Sequence, residues 1–237
     1  MALEPSGAAS VTAVEMHRGD SAFELRTALS EVDARAQWVE RYLQARLPTV
    51  DVDPSKIEFD PKKGRLAFGA RSAGVGRREG DEIAVPLAGS RTYTSSLAPL
   101  PPARRTLPVV LPSGLAPSEQ RYKTTIVAPK GYHFAELPPG GKVDGGDLGR
   151  ASLDLKKGSA PNTVVVDLDV VIDKSTIPLA QYPAFRQMLQ RVDALTHRVV
   201  RLVPDGAPVV ETKPAAPQPA SPATKPAEKR PPAPKKP

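Results

Sequence analysis

The chain of 237 residues has no cysteine and few aromatic residues: five Phe, five Tyr and one Trp. The absence of cysteine excludes disulfides, thiolate metal ligands and a cysteine nucleophile on this chain. No run approaches the ~20 apolar residues that a membrane-spanning helix needs. Residues 1–7 have neither the basic nor the apolar region of a secretory signal. The compartment is therefore left unknown, and the missing signal alone favours the cytoplasm.

Proline and positive charge are concentrated at the C-terminal end. The chain has 28 prolines and a formal net charge of +7. Residues 207–237 hold ten of these prolines, six Lys or Arg, two Glu and no aromatic residue, a net charge of +4. This composition buries too little apolar surface to offset the entropy of ordering, which predicts a disordered tail with polyproline II character. The folded domain is expected within residues 7–206.

Two helices are predicted from the spacing of apolar residues. Ser21 followed by Glu24 has the pattern of a capping box, in which the serine caps the first turn. Apolar residues then recur at steps of three and four, which predicts one helix over residues 21–47. A second apolar stripe predicts a helix over residues 183–199, with Pro183 in its first turn.

Most of the remaining segments have the composition and alternation of strands. The predicted strands are 9–17, 57–59, 65–70, 82–85, 91–94, 122–128, 132–136, 150–155 and 163–173. In the last of these, apolar residues alternate with acidic ones, which predicts one face against a core and one face against water. The sequence therefore predicts an α+β fold that is mainly antiparallel and β-sandwich-like, with two packed helices.

Residues that could support chemistry are few. The histidines are His17, His133 and His197. Spacing alone does not exclude a Ser-His-Asp triad, but three surface histidines are the favoured interpretation. Asp167, Asp169 and Asp173 share one strand face and could bind a hard cation, although alternating acidic residues are typical of a solvent-exposed face. We predict no catalytic residue, no metal site and no cofactor, and we do not expect the chain to be an enzyme.

One surface containing aromatic residues is predicted on the first helix. On a helical wheel, Phe23, Ala34, Trp38 and Ala45 fall within about 60° of one another and opposite the apolar stripe. Two alternatives remain open for this surface. Another layer of the domain covers the single tryptophan, or the four residues form a docking surface for a partner protein.

Several segments resemble parts of bacterial transglutaminase-like proteins. Residues 7–12, followed by 18–26 and a long helix, are similar to the region just after the catalytic core of these proteins. Residues 105–111 are similar to their R-x-x-P-L segment, and residues 182–186 with 192–194 to their terminal Y-P-A-F-R … V-D helix. Such proteins combine an N-terminal β domain of unknown function, a papain-like transglutaminase core and a C-terminal β domain.

The resemblance covers about residues 7–203 and implies a C-terminal β domain without its catalytic core. The Cys-His-Asp residues of the family lie before this region, so no catalytic residue carries over. The implied function is a non-catalytic structural or interaction domain that accompanies a transglutaminase-like protein encoded nearby. The resemblance also implies a periplasmic or exported location if the chain is part of a longer protein.

The alternative function is a binding module for an anionic polymer, nucleic acid or cell-wall material, through the basic tail. Nucleic acid is the less expected polymer, because the tail has no aromatic residues on which bases could stack.

Deletion of residues 207–237 is expected to leave thermal stability nearly unchanged, because the segment adds no periodic apolar residue to a core. Calorimetry of the full chain and of a chain ending at residue 206 measures the difference in Tm. A fall of many degrees on deletion would show that the tail packs on the domain.

Overall fold

More of the described residues lie in strands than in helices, and several strands have alternating apolar residues. The computed structural model describes residues 1–44, 47, 49–87, 92–112 and 116–206, and the predicted tail lies outside them. The strands are β1 (Ala2–Leu3), β2 (Ala9–Met16), β3 (Val50–Asp60), β4 (Arg65–Ser72), β5 (Arg77–Glu79), β6 (Glu82–Pro86), β7 (Val109–Val110), β8 (Ser118–Val127), β9 (Tyr132–Phe134), β10 (Gly141–Asp144), β11 (Gly149–Lys157), β12 (Thr163–Ile172), β13 (Thr176–Ile177) and β14 (Val199–Pro204). The α-helices among the described residues are α1 (Gly19–Ala28), α2 (Arg35–Gln44), α3 (Tyr93–Leu97) and α4 (Tyr182–Thr196).

The strands form two large sheets and one small ladder. The largest sheet has eight strands in the order β10-β11-β12-β8-β1-β2-β4-β3. A second sheet has the order β5-β6-β14-β9, and β13 pairs with β7. Every pairing is antiparallel except that of β1 with β8. The predicted α+β, mainly antiparallel and sandwich-like fold is confirmed.

Two hydrophobic cores hold these layers together. In the larger core, α4 and the four-stranded sheet pack against the half of the large sheet from β10 to β8. In the smaller core, α1 and α2 pack on the half formed by β2, β4 and β3. In the order of the chain, the first strand of the large sheet is β1, at residues 2–3. The sequence analysis placed the start of the folded domain later, at residue 7.

The single helix predicted over residues 21–47 is wrong, because the chain forms α1 and α2 with a turn between them. The Ser30 hydroxyl donates to the Thr27 carbonyl, at 3.0 Å, and the Arg35 Nε donates to the Leu29 carbonyl, at 2.8 Å. A continuous helix would need these two carbonyls for its own backbone N–H groups, so the side chains compete with it. As a result Val32, predicted in the buried stripe, is 67% exposed.

Two further predictions of secondary structure need correction. The helix predicted over 183–199 ends at Thr196, and Val199 begins β14, where Val200 and Leu202 are fully buried. The strand predicted over 91–94 is not formed by its described residues: Thr92 is the N-cap of α3, which begins at Tyr93, and residue 91 lies outside the described ranges. The Thr92 Oγ1 accepts the Ser95 N–H at 2.9 Å, an N-cap contact that favours a helix over a strand.

Leu29→Ala and Phe185→Ala are each expected to lower the free energy of unfolding by about 2–5 kcal/mol. Both side chains have no exposed surface, Leu29 in the smaller core and Phe185 in the larger one. Urea unfolding measures the change, with Phe23→Ala as the control because that side chain is 65% exposed. Wild-type midpoints for both core variants would contradict the core assignment.

Candidate functional site

The structure places three of the four predicted surface residues, Phe23, Ala34 and Trp38, on separate elements. Phe23 lies on α1 and is exposed, whereas Ala34 is half-buried in the turn before α2. Trp38 lies on α2, is half-buried against the smaller core, and stacks on Tyr42 with 5.1 Å between ring centroids. Ala45 lies outside the described residues. The helical wheel that grouped the four residues assumed one continuous helix, which the turn at 29–34 interrupts.

A different surface is formed by α1 and the turn that follows it. Two large apolar side chains on it, Phe23 and Val32, are 65% and 67% exposed. The exposed carboxylates of the same segment are those of Asp20, Glu24, Glu31 and Asp33. None of these four carboxylates forms an ion pair with a residue that the structure describes. Most of the other carboxylates among the described residues do form one. We call these six residues the Phe23 surface.

A hydrogen-bonded chain of four side chains lies where β2 leads into α1. His17 Nδ1 is 2.7 Å from the Ser21 Oγ, and His17 Nε2 is 3.0 Å from Glu15 Oε2. The Tyr42 hydroxyl donates to the same carboxylate, at 3.1 and 3.2 Å to its two oxygens. The sequence analysis missed this arrangement because it assigned Ser21 to the N-cap, which is wrong: α1 begins at Gly19 after Arg18, and Ser21 lies inside the helix. The signal that would have found it is the four-residue spacing of His17 and Ser21.

A serine, an imidazole and a carboxylate in one chain are the elements of a hydrolase triad. In that triad, however, the serine contacts Nε2 and the carboxylate contacts Nδ1, which is the reverse of the order here. The contacts also join β2 to α1 and, through Tyr42, to α2. We therefore interpret the four side chains as the connection that fixes both helices on the sheet.

The other histidines and the acidic strand face take part in ordinary polar contacts. His133 Nδ1 lies 3.2 Å from Asp205 Oδ1, and His197 contacts the Asp193 carbonyl. The three aspartates of the strand predicted over 163–173 each pair with a cation, and the pairs are Asp167 with Lys156, Asp169 with Arg121 and Asp173 with Arg150. Within the described ranges, no three His, Asp or Glu residues are grouped as metal ligands.

The segments that carry the family resemblance hold the proline-rich connection against α4. The Tyr182 hydroxyl donates to the Leu100 carbonyl at 2.6 Å, and the Arg105 guanidinium lies 5.5 Å from the Tyr182 ring centroid. Arg105 also donates to the carbonyls of Leu107 and Pro108, both at 2.8 Å. These contacts give Tyr182 and Arg105 a structural role.

Asp193, from the same resemblance, caps a helix that is distant in sequence. Its carboxylate accepts the backbone N–H of Tyr93 at 2.6 Å and that of Thr94 at 3.1 Å, the first residues of α3. A carboxylate at a helix N-terminus satisfies backbone donors that have no partner inside the helix. Asp193 thus fixes α3 to α4.

Two strands that are distant in sequence, β6 and β14, pair with each other. Val85 lies on β6 directly opposite Val200 on β14, two positions before Leu202. Residues 85–202 match the model of the family DUF3858, described as a domain of unknown function with a solved structure. The chain contains a DUF3858 domain. The match begins and ends on paired strands, so its two ends meet in one sheet.

Comparison with known proteins adds no further relative. No curated protein and no solved structure matches the chain. The DUF3858 match does not link the chain to transglutaminase-like proteins. Among the described helices, none has the length and apolar character needed to cross a membrane.

Asp193→Ala is expected to destabilise the DUF3858 domain by about 1–2 kcal/mol, because two backbone donors of α3 lose their acceptor. Asp193→Asn, which keeps one carbonyl acceptor, is expected to lose less. Urea unfolding of the two variants ranks these effects. Equal stability of wild type and Asp193→Ala would show that the contact does not hold α3.

Proposed function

We propose that the chain is a non-catalytic interaction domain that accompanies a transglutaminase-like catalytic protein. The family assignment in this proposal comes from the resemblance of residues 105–111 and 182–194. Both segments lie inside the DUF3858 domain and contribute contacts between its elements. An internal scaffold of this kind is compatible with a domain whose function lies on its surface.

The observation that carries the proposal is the Phe23 surface. An exposed aromatic side chain costs free energy in water, and aromatic residues are enriched at protein interfaces. The segment that carries Phe23 and Val32 has four exposed carboxylates and one exposed guanidinium, that of Arg26, and this excess of negative charge favours a partner that presents basic residues beside an apolar side chain. Trp38, which the sequence placed on the docking surface, instead contributes part of its area to the smaller core.

Phe23→Ala is expected to weaken binding to the transglutaminase-like protein encoded beside this chain by about thirtyfold, or ~2 kcal/mol, while leaving the fold intact. Isothermal titration calorimetry with the purified catalytic protein measures Kd. The matched control is Val110→Ala, because Val110 is 73% exposed and lies on β7, away from α1. Equal affinities for both variants and wild type would refute the role of Phe23.

The alternative, an anionic-polymer module, rests on the +4 charge of residues 207–237. Salt separates the two functions, since phosphate binding weakens steeply as salt concentration rises, whereas an apolar contact changes little. A duplex DNA probe titrated at two salt concentrations provides this comparison for the full chain and for the chain ending at residue 206. Tail-dependent, salt-sensitive binding would favour the polymer module.

A further inference from the structure

The large sheet ends in two edge strands, β3 and β10, which differ in how they are protected. β3 contains Pro54, and its pairing with β4 shifts between Asp53 and Glu58. Proline and bulges on edge strands hinder pairing with another chain. β10 has neither feature, and its pairing with β11 runs without a shift. In the part of the chain that the structure describes, the outer edge of β10 has no strand partner.

The backbone groups that face this outer edge are those of Lys142 and Asp144. The Gly145 N–H donates to the Gly149 carbonyl at 2.9 Å, in the same antiparallel register as the pairs along β10 and β11. The N–H and C=O groups of successive residues point to opposite edges of a strand. The odd-numbered residues of β10 therefore bond to β11, and the even-numbered residues, Lys142 and Asp144, present their N–H and C=O groups to the outer edge.

The side chains of β10 alternate between the core and the solvent. Val143 is 5% exposed and lies opposite Ala151 in the larger core. Lys142 and Asp144 are exposed on the other face, and neither forms an ion pair with a described residue. The edge therefore carries one apolar side chain between two side chains of opposite charge.

This order of side chains is self-complementary in one antiparallel register. With Val143 opposite its own copy, Lys142 lies opposite Asp144 of the second copy, and symmetry repeats the pair. A shift by two residues places lysine opposite lysine or aspartate opposite aspartate, and like charges directly opposite destabilise a strand pair. A shift by one residue places the outward backbone groups of one copy opposite residues whose groups already bond to β11. Charge and backbone phase therefore select the same register.

Helix α4 lies beneath this edge and leaves room for a second copy. It contacts both β10 and β11, and a Cβ at Gly141 or Gly145 would meet Leu195 or Met188, respectively. With strands about 4.8 Å apart, a helix centred below β10 and β11 lies about 9.6 Å from its copy, within the roughly 8–10 Å at which helices pack. Arg191 is exposed on the flank of Met188 and Leu195, so two guanidinium groups lie near the axis and keep the association weak.

We propose that two copies of the chain associate through the outer edges of β10, in an antiparallel pair with Val143 on the two-fold axis. Lys142 and Asp144 of each copy exchange backbone hydrogen bonds and an ion pair with Asp144 and Lys142 of the other. The pairing joins two eight-stranded sheets into one continuous sheet. Because each copy uses the same patch, the contact closes as a dimer. The inference is independent of the proposed function, since none of these residues belongs to the Phe23 surface.

Sedimentation velocity of the full chain tests the dimer, over concentrations from about 1 μM to 1 mM because an interface this small is weak. We expect a reversible equilibrium between monomer and dimer. Lys142→Asp and Asp144→Lys are each expected to weaken it at least tenfold, because each places like charges opposite each other. The matched control is Lys130→Asp, an exposed charge reversal between β8 and β9 that should have no effect. A monomer over the whole range, or equal effects of the three variants, overturns the proposal.

Reversal of both charges tests the register. In the double variant Lys142→Asp, Asp144→Lys, opposite charges again lie opposite each other, so the association of the wild type should return. An equimolar mixture of the two single variants should form a heterodimer for the same reason, although each single variant alone associates poorly. If neither the double variant nor the mixture recovers association, the register is wrong.

An introduced thiol locates the axis, because the chain contains no cysteine. Val143→Cys places two thiols opposite each other, with Cα atoms about 4.5 Å apart, which is within the range of a disulfide. We expect a covalent dimer on mild oxidation. Val110→Cys is the control for random collisions, because Val110 is 73% exposed and therefore more accessible than Val143. Cross-linking of Val143→Cys that is no faster than that of Val110→Cys overturns the pairing.

Discussion

The large sheet depends on β1, the two-residue strand that joins its two halves. On one side of β1 are β8, β12, β11 and β10, and on the other are β2, β4 and β3. Glu4, which follows β1, accepts two hydrogen bonds from Arg71 on β4, at 2.7 and 3.0 Å, and these hold the pKa of the Glu4 carboxyl below its ordinary value. This contact crosses β2 and fixes β1 on the half of the sheet that carries α1 and α2.

A second contact fixes the turn after β1 to the four-stranded sheet. Gly7 has φ of +86°, and the Gly76 N–H donates to its carbonyl at 2.8 Å. A Cβ at Gly7 would lie 1.9 Å from the Gly76 carbonyl oxygen, so only glycine allows this approach. The Arg78 guanidinium then links the Pro5 carbonyl to the Tyr132 hydroxyl on β9. The segment 1–8 thus joins three parts of the fold that are distant in sequence.

The sequence predicted those elements whose stability is local or whose pattern is long. The strands over 57–59, 65–70 and 163–173 were predicted because alternation and β-rich composition are visible in the chain, and they lie within β3, β4 and β12. The break between α1 and α2 was missed because it depends on Ser30 and Arg35 side chains taking helix carbonyls. The start of α3 was missed because its cap, Asp193, is about a hundred residues away.

The residues of the candidate site divide in the same way, into those whose position follows from a local pattern and those whose position depends on other contacts. The helical wheel placed Phe23 opposite the apolar stripe and left open whether another layer covers it. Phe23 is 65% exposed, and α1 keeps the predicted periodicity over its own length. Grouping Phe23 with Trp38 required the periodicity to continue through the turn, and it does not.

The position of the Phe23 surface depends on the contacts between β2 and α1. β2 ends at Met16, and α1, which carries Phe23, begins at Gly19. The hydrogen bonds of His17 to Glu15 and Ser21 join this strand to this helix. A partner that contacts Phe23 is therefore held at a set position relative to the large sheet. Because burial of an apolar side chain discriminates little between partners, the charged side chains of the same segment would supply the selectivity that this contact alone lacks.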